Sequence, residues 1–330
     1  MSSGFGRLDR VSFPDAESPD TESPDAESAA VDRALVPDGL SVTVVDIDDP
    51  GDLRVDDFRD LNSVDRRPDL PALPGGRVGK GLVIAEGVLV AQRMIASRFA
   101  PHAFLGVDKR LHELAADLRD PSLAGVPFYR ASADVMAQVV GFHLNRGVLA
   151  VARRPHVLDV PHVLDVADVL VGARTVAVLE GVNDHENIGS IFRNAAGLGV
   201  DAVLFGAGCA DPLYRRCVRV SMGHALLVPF TAFTDWPGGL DILHENGFQT
   251  LSLTPEPSSP DLARALIDPA TGAPRDKVAF LVGAEGPGLT RAAMRASHIR
   301  ARIPMSRGTD SLNVATAAAI AFYERVRAGR

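Results

Sequence analysis

The sequence predicts an α/β protein whose C-terminal half is a mostly parallel sheet covered by helices on both faces, preceded by a smaller α/β domain. Three observations carry this. Short apolar runs alternate with helical segments from about residue 170 onward, the rhythm of consecutive βαβ units. Glycine-rich stretches at 187–199 (NIGSIFRNAAGLG), 281–289 (LVGAEGPGL) and 303–313 (IPMSRGTDSLN) fall where an apolar strand meets a loop or a helix start. Such strand ends are where open α/β sheets bind ligands. A polar, acidic leading segment stands apart from both halves.

Taken in order, residues 1–40 read as a disordered acidic tail. Their PDAESPDTESPDAES run has no apolar face to bury. A strand is expected at 41–47. The run GLVIAEGVLVAQRMIAS at 81–97 begins as a strand and passes to helical spacing at Val88, Ala91, Ile95 and Phe99. A buried strand at 103–107, a helix at 110–118 and a strand from 127 to 130 follow. Ser132 caps a helix over 133–140, and GVLAVA at 147–152 closes this first domain, 41–152. A linker is expected at 153–170, because the hexamer PHVLDV at 155–160 is repeated at once at 161–166. His156 and His162 recur in the two copies, but no third ligand accompanies them and no metal site is expected.

The second domain, 171–330, is expected to carry strands at 175–179, 202–205, 225–229, 249–253, 278–282 and 301–303. Helices are expected at 189–198, 214–221, 241–246 and 290–296, with a long closing helix at 312–327. Charge follows the same division. Residues 1–80 hold 18 acidic and 9 basic side chains, a net of −9, whereas the whole chain is −8, so residues 81–330 balance at +1. Only three basic residues are lysines, Lys80, Lys109 and Lys277. No apolar run approaches the roughly 20 residues of a membrane helix, and the polar N-terminus is no signal peptide. The two cysteines, Cys209 and Cys217, are too few for a disulfide framework and match no zinc spacing. A protein of the cytoplasm is expected.

The three motifs carry the chemistry. In the first, Asn187 or Gly189 stands at a helix start, where free backbone N–H groups attract an anion. Arg193 lies about one turn further in, either facing the same crevice or paired at the surface with Asp184 or Glu186. In the second, glycines allow close backbone approach and positive φ. It is neither GxGxxG nor a P-loop: no Lys-Ser/Thr follows, and Pro287 removes one N–H from any phosphate cradle. That disfavours pyrophosphate and suits an adenosine or amino-acid moiety. Glu285 is either a site residue or a cap for the helix from Thr290. In the third, Asp310 or Ser311 caps the closing helix, and Asn313 bonds backbone or ligand at its start.

These residues resemble the SpoU (TrmH) family of RNA ribose 2′-O-methyltransferases, of the SPOUT class. Asn187, Gly189, Arg193 and Gly199 match its first motif. Gly283, Glu285, Gly286, Gly288 and Leu289 match the second, and Pro304, Met305, Ser311, Leu312 and Asn313 the third. The resemblance covers roughly 170–330. Residues 41–150, with EGVLVAQRMIAS and GFHLNRGVLAVA, resemble the L30e-like substrate-binding domain that often precedes it. One departure is His185, between Asp184 and Glu186 where the family often has proline; it either fills the turn or touches RNA.

The resemblance implies a C-terminal trefoil knot, a homodimer, and S-adenosyl-L-methionine held near Thr254, Gly283, Gly286, Ile303, Met305 and Leu312. It implies methylation of rRNA or tRNA, with Arg193 of one subunit facing the methyl donor of the other. Asn187, Glu285, Ser311 and Asn313 would complete the catalytic site. Since a guanidinium keeps its proton at ordinary pH, we read Arg193 as orienting the hydroxyl and stabilising oxyanion charge, the proton passing to phosphate or water. The alternative is an RNA- or nucleoside-binding protein on the same fold without methyl transfer. A dinucleotide dehydrogenase lacks its glycine pattern and its ribose-binding acid. Which RNA and which nucleotide would be modified is not written in the motifs.

Overall fold

The computed structural model describes residues 35–61, 80–154, 164–306 and 308–329. The acidic run at 14–28, His156 and His162 lie outside them.

The N-terminal sheet orders its strands β1-β4-β3-β5-β2: β1 is Thr43–Ile47, β2 Leu82–Glu86, β3 Pro101–Gly106, β4 Pro127–Ala131 and β5 Val148–Arg153. It is mixed, with β1–β4 and β3–β4 parallel and β3–β5 and β2–β5 antiparallel. Alternate strand residues face opposite ways. Val83, Ala85, Phe104 and Ala150 meet α1 (Val88–Ile95) and α2 (Asp108–Glu113) on one face. Ile84, Leu105 and Val151 meet α3 (Ala133–Val140) on the other. Ser132 caps α3 as its spacing predicts, its side chain accepting from Val135 N. A 3-10 turn at Leu53–Phe58 was not expected; it buries Val55 and Phe58 against α3.

The second sheet is wholly parallel among the described residues, in the order β11-β9-β10-β6-β7-β8. These strands are β6 Thr175–Glu180, β7 Ala202–Phe205, β8 Phe230–Ala232, β9 Gln249–Leu253, β10 Val278–Gly283 and β11 Ile299–Ala301. The chain walks outward from β6 to β8, then returns to build β9, β10 and β11 on the other side of β6. Helices α5 (His185–Gly197), α8 (Leu262–Ala265) and α10 (Val314–Ala328) cover one face. Helices α4 (Val166–Val169), α7 (Asp241–Glu245) and α9 (Arg291–Ala296) cover the other. Helix α4 falls in the stretch expected as linker, yet Val166, Val169 and Leu170 are core residues.

Four expectations are corrected. The strand expected at 225–229 begins at Phe230. The apolar run before it forms a 3-10 turn, His224–Leu226, entered through Gly223 at φ +86°. Pro229 has no N–H to give, and its carbonyl accepts from Val203 N. The last strand is Ile299–Ala301, not 301–303, because Pro304 ends extended pairing and Ile303 turns into the cavity described below. Helix α5 starts four residues before Gly189, because Asp184 caps it, accepting from Glu186 N and Asn187 N. Helix α10 is capped by neither Asp310 nor Ser311 but by Asn313, which accepts from Thr316 N.

The two sheets share a core. Leu213, Val218 and Leu226, from and around α6 (Arg215–Val220), are buried in one cluster with Val90, Met94 and Phe99 of the N-terminal half. Ion pairs Arg215–Glu86 and Arg154–Asp211 seal its edges.

Candidate active site

The carboxyl ends of β9, β10 and β11 converge on a cavity of about 620 Å³. Leu253 to Pro255 come from the end of β9, residues 283–289 from the end of β10, and Ile303, Met305 and residues 310–314 from the chain leaving β11. The site thus stands where a parallel sheet places one, and of its three loops those after β10 and β11 carry the second and third motifs.

Each glycine of the second motif has its own reason. Gly286 and Gly288 hold φ of +87° and +69°, which L side chains rarely adopt. Gly283 is needed for approach: a Cβ there would stand 2.2 Å from Leu289 N. The loop is pinned behind by Glu180, the last residue of β6, which is buried. Glu180 accepts from Thr290 N at 2.7 Å, Thr290 Oγ1 at 2.8 Å and Trp236 Nε1 at 2.5 Å. Thr290 in turn caps α9, accepting from Ala293 N, so Glu285 is not the cap of that helix.

At the mouth, three side chains lock together. Asn313 Nδ2 donates to Glu285 Oε1 at 2.7 Å and to Asn187 Oδ1 at 2.8 Å, while Asn187 Nδ2 donates to Glu285 Oε1 at 3.2 Å. One residue from each motif is therefore held in a hydrogen-bonded triangle, and the capping bond to Thr316 N fixes the Asn313 amide so that its NH₂ faces the other two.

All six residues expected around a cofactor, Thr254, Gly283, Gly286, Ile303, Met305 and Leu312, line the cavity, with Glu285, Ser311 and Asn313. Asn187 joins them through its bonds. Arg193 does not: it is exposed on α5, outside the lining. Nor does it pair with Asp184, which caps α5, or with Glu186, which binds Arg216 at 2.5 Å. His185 is the first residue of α5, its ring 4.3 Å from that of Tyr214. The lining holds two carboxylates, Glu285 and Asp310, and no lysine or arginine among its described residues. A cavity of this charge suits a cationic or neutral ligand and opposes a phosphorylated one.

Sequence reasoning missed Glu180, although an acidic residue closing the apolar run TVAVLE was a usable signal. It also missed Asp184 as a cap, although the bonds that make it one reach only two and three residues ahead.

The sequence pattern of the SpoU rRNA methylase family matches residues 174–323. An uncharacterised tRNA/rRNA methyltransferase of Mycobacterium bovis is 65% identical over 293 residues, covering 89% of this chain and 94% of the relative. The 23S rRNA (guanosine-2′-O-)-methyltransferase RlmB of Ralstonia nicotianae is 26% identical over 246 residues, 74% of this chain and 95% of its own. In fold, the chain is similar to an AdoMet-bound rRNA methyltransferase from Sinorhizobium meliloti, with a TM-score of 0.66 at 20% identity, covering 86% of this chain and 98% of that one.

Proposed function

The chain belongs to the SpoU family of RNA methylases, and from that premise we propose that it transfers a methyl group from S-adenosyl-L-methionine to a ribose 2′-hydroxyl of structured RNA, ribosomal or transfer. The observation that carries this reading is the strand-end cavity with carboxylates and no described cation in its lining. S-adenosylmethionine, when bound, supplies an electrophilic methyl on a positively charged sulfonium, which such a lining favours. Apolar Leu253, Val282, Leu289 and Leu312 suit a base, and the glycine backbone of 283–288 suits polar edges of nucleoside and amino acid.

Thr254, Gly283, Gly286, Ile303, Met305 and Leu312 hold the donor in this reading. The Asn187–Glu285–Asn313 triangle and Ser311 shape the mouth through which the ribose enters. Arg193 orients the target ribose or its phosphate and stabilises charge developing on the oxygen. Its position outside the cavity of its own chain supports a homodimer in which it serves the partner's donor. The convergence of three loops on one cavity accords with the family's trefoil knot, an exception to the rule against knotted chains. We assign residues 41–152 as an L30e-like domain that binds the RNA substrate and 171–330 as the catalytic domain. The name of the RlmB relative supports the ribose as the acceptor.

The test is tritium transfer from labelled S-adenosylmethionine to bulk RNA from cells lacking the gene, followed by alkaline hydrolysis. Ribose methylation blocks alkaline cleavage, so label is expected in alkali-resistant dinucleotides. Label in ordinary mononucleotides would move the methyl to a base, and RNA binding without any transfer would remove the enzyme.

A further inference from the structure

Helix α5 lies so close to α6 that a Cβ on Gly189 would stand 2.8 Å from Cys217 O and 2.9 Å from Val220 Cβ. One turn further along the same helix stands Arg193, whose charge bears on His224 in the turn that leaves α6. That turn is held against its own preference. Met222 adopts φ +55° without being glycine, and Gly223 follows at +86°; such strain persists only where surroundings enforce it, and it collects at functional sites. The surroundings here come from the other sheet. Arg93 of α1 donates to the Met222 carbonyl, and a Cβ on Gly223 would touch Val90 and Arg93 at 3.1 and 3.3 Å. Ser221, fully buried, ties the turn from inside by donating to Val218 O and accepting from Ala225 N.

All of this restraint presents His224. Its backbone is engaged at both ends, but neither ring nitrogen has a hydrogen-bond partner among the described residues, and the ring is half-buried. The charged groups that bear on it are Arg93 from α1 and Arg193 from α5. Burial first, then these two guanidinium charges, lower its pKa from the ordinary histidine value. The imidazole is thus neutral near pH 7, with one nitrogen lone pair free.

We propose that His224 is the proton acceptor for the target 2′-hydroxyl, standing beside the arginine that orients it. This step rests on the methyl-transfer reading above and replaces phosphate or water as the proton's destination. An alcohol oxygen that gains a methyl must lose its proton, and a guanidinium has no lone pair to take it. In the balanced step, the His224 nitrogen takes the proton and the O–H pair forms the new O–CH₃ bond. The C–S bond breaks with its electrons going to sulfur. The positive charge passes from sulfonium to imidazolium, and repulsion by Arg93 and Arg193 then returns the proton to water.

The experiment has two readouts. In the first, the His224 ring signal of the full-length protein is titrated by NMR. Titration below the free-imidazole range is expected, moving upward in Arg193→Gln; titration at the ordinary value, unmoved by that change, overturns the proposal. In the second, single-turnover methyl transfer to bulk RNA from cells lacking the gene is followed from pH 5 to 9. Wild type loses rate as the pH falls through the His224 ionisation. His224→Ala and His224→Asn are each expected to lose about 100-fold and the acidic limb, with RNA and S-adenosylmethionine affinities kept within twofold, and added imidazole restoring rate to His224→Ala. Equal rates and an unchanged acidic limb in both variants would remove this step alone. Transfer by neither wild type nor variants would remove the methyltransferase reading and this step with it.

Discussion

Gly283→Ala is the substitution whose cost the geometry fixes most closely. The added carbon would sit 2.2 Å from Leu289 N, 2.3 Å from Gly288 C and 2.6 Å from Gly288 O, where ordinary contact begins at 3.4 Å. All three obstacles are backbone, so no rotamer change relieves them. The loop must retreat by more than about 1 Å, or β10 must buckle. Retreat drags Thr290 away from Glu180, breaking the bonds at 2.7 and 2.8 Å to a carboxylate that is 4% exposed. Hydrogen bonds to a charged group are worth about 1.5–3 kcal/mol each, so this route costs about 3–6 kcal/mol. Overpacking without retreat costs about 1–3 kcal/mol where side chains yield and more where backbone blocks. A loss of at least about 3 kcal/mol is expected on either route, a large share of a normal folding free energy. Guanidinium unfolding, followed through the single tryptophan Trp236 beside Glu180, measures it. Gly286→Ala is the control: nothing lies within 4 Å of its Cβ, so only the left-handed φ resists, at about 1–2 kcal/mol. If Gly283→Ala unfolds within about 1 kcal/mol of wild type, or no earlier than Gly286→Ala, the steric argument is wrong.

Three shorter predictions accompany it. Asn313→Ala removes the cap of α10 together with the triangle and should lower stability by about 1 kcal/mol. Asn313→Asp keeps the cap but sets a carboxylate against Glu285; urea midpoints near wild type, with S-adenosylmethionine affinity lost by calorimetry, would separate the two roles. Asp57, held below the usual carboxylate range first by His102 and then by Lys80, contributes stability present above its unfolded pKa near 4 and lost as pH falls toward the folded value. The site is partly exposed, so the effect should stay below about 1 kcal/mol, and the urea-midpoint gap between wild type and Asp57→Asn should close below pH 4. Burial pushes the Cys217 thiol far up and the Cys209 thiol up. Ellman's reagent should therefore leave Cys217 untouched until guanidinium unfolds the chain; prompt labelling in the native state would contradict its packing.

Where the sequence spoke clearly, a local rule and the tertiary structure agreed. Ser132 is the only capping side chain directly before its helix, and α3 starts where it says. The strand before GAEGPG is apolar throughout because both its faces are covered, and β10 lies mid-sheet. Where local rules offered several answers, the choice lay in contacts far along the chain. Asp310, Ser311 and Asn313 are all able to cap α10; Asn313 is selected with its amide already tied to Asn187 and Glu285, 126 and 28 residues away. The run at 225–228 is apolar without a period that separates strand from buried turn, and Gly223, braced by α1, makes it a turn. Arg193 was expected either in the crevice or in an ion pair. It is in neither, because Gly189 turns that face of α5 toward α6 and away from the cavity.

The core that Leu213, Val218 and Leu226 share with Val90, Met94 and Phe99 sets a limit on modularity. A domain hung on a flexible tether is exchanged in evolution or in the laboratory as a cassette, with the seam cut in the linker. Here such a cut would strip three buried side chains bare on the remaining half and leave Arg215 without Glu86. New RNA specificity grafted onto this chain has to bring its own partner surface for α6, or keep α1 and redesign only the faces that point away from it.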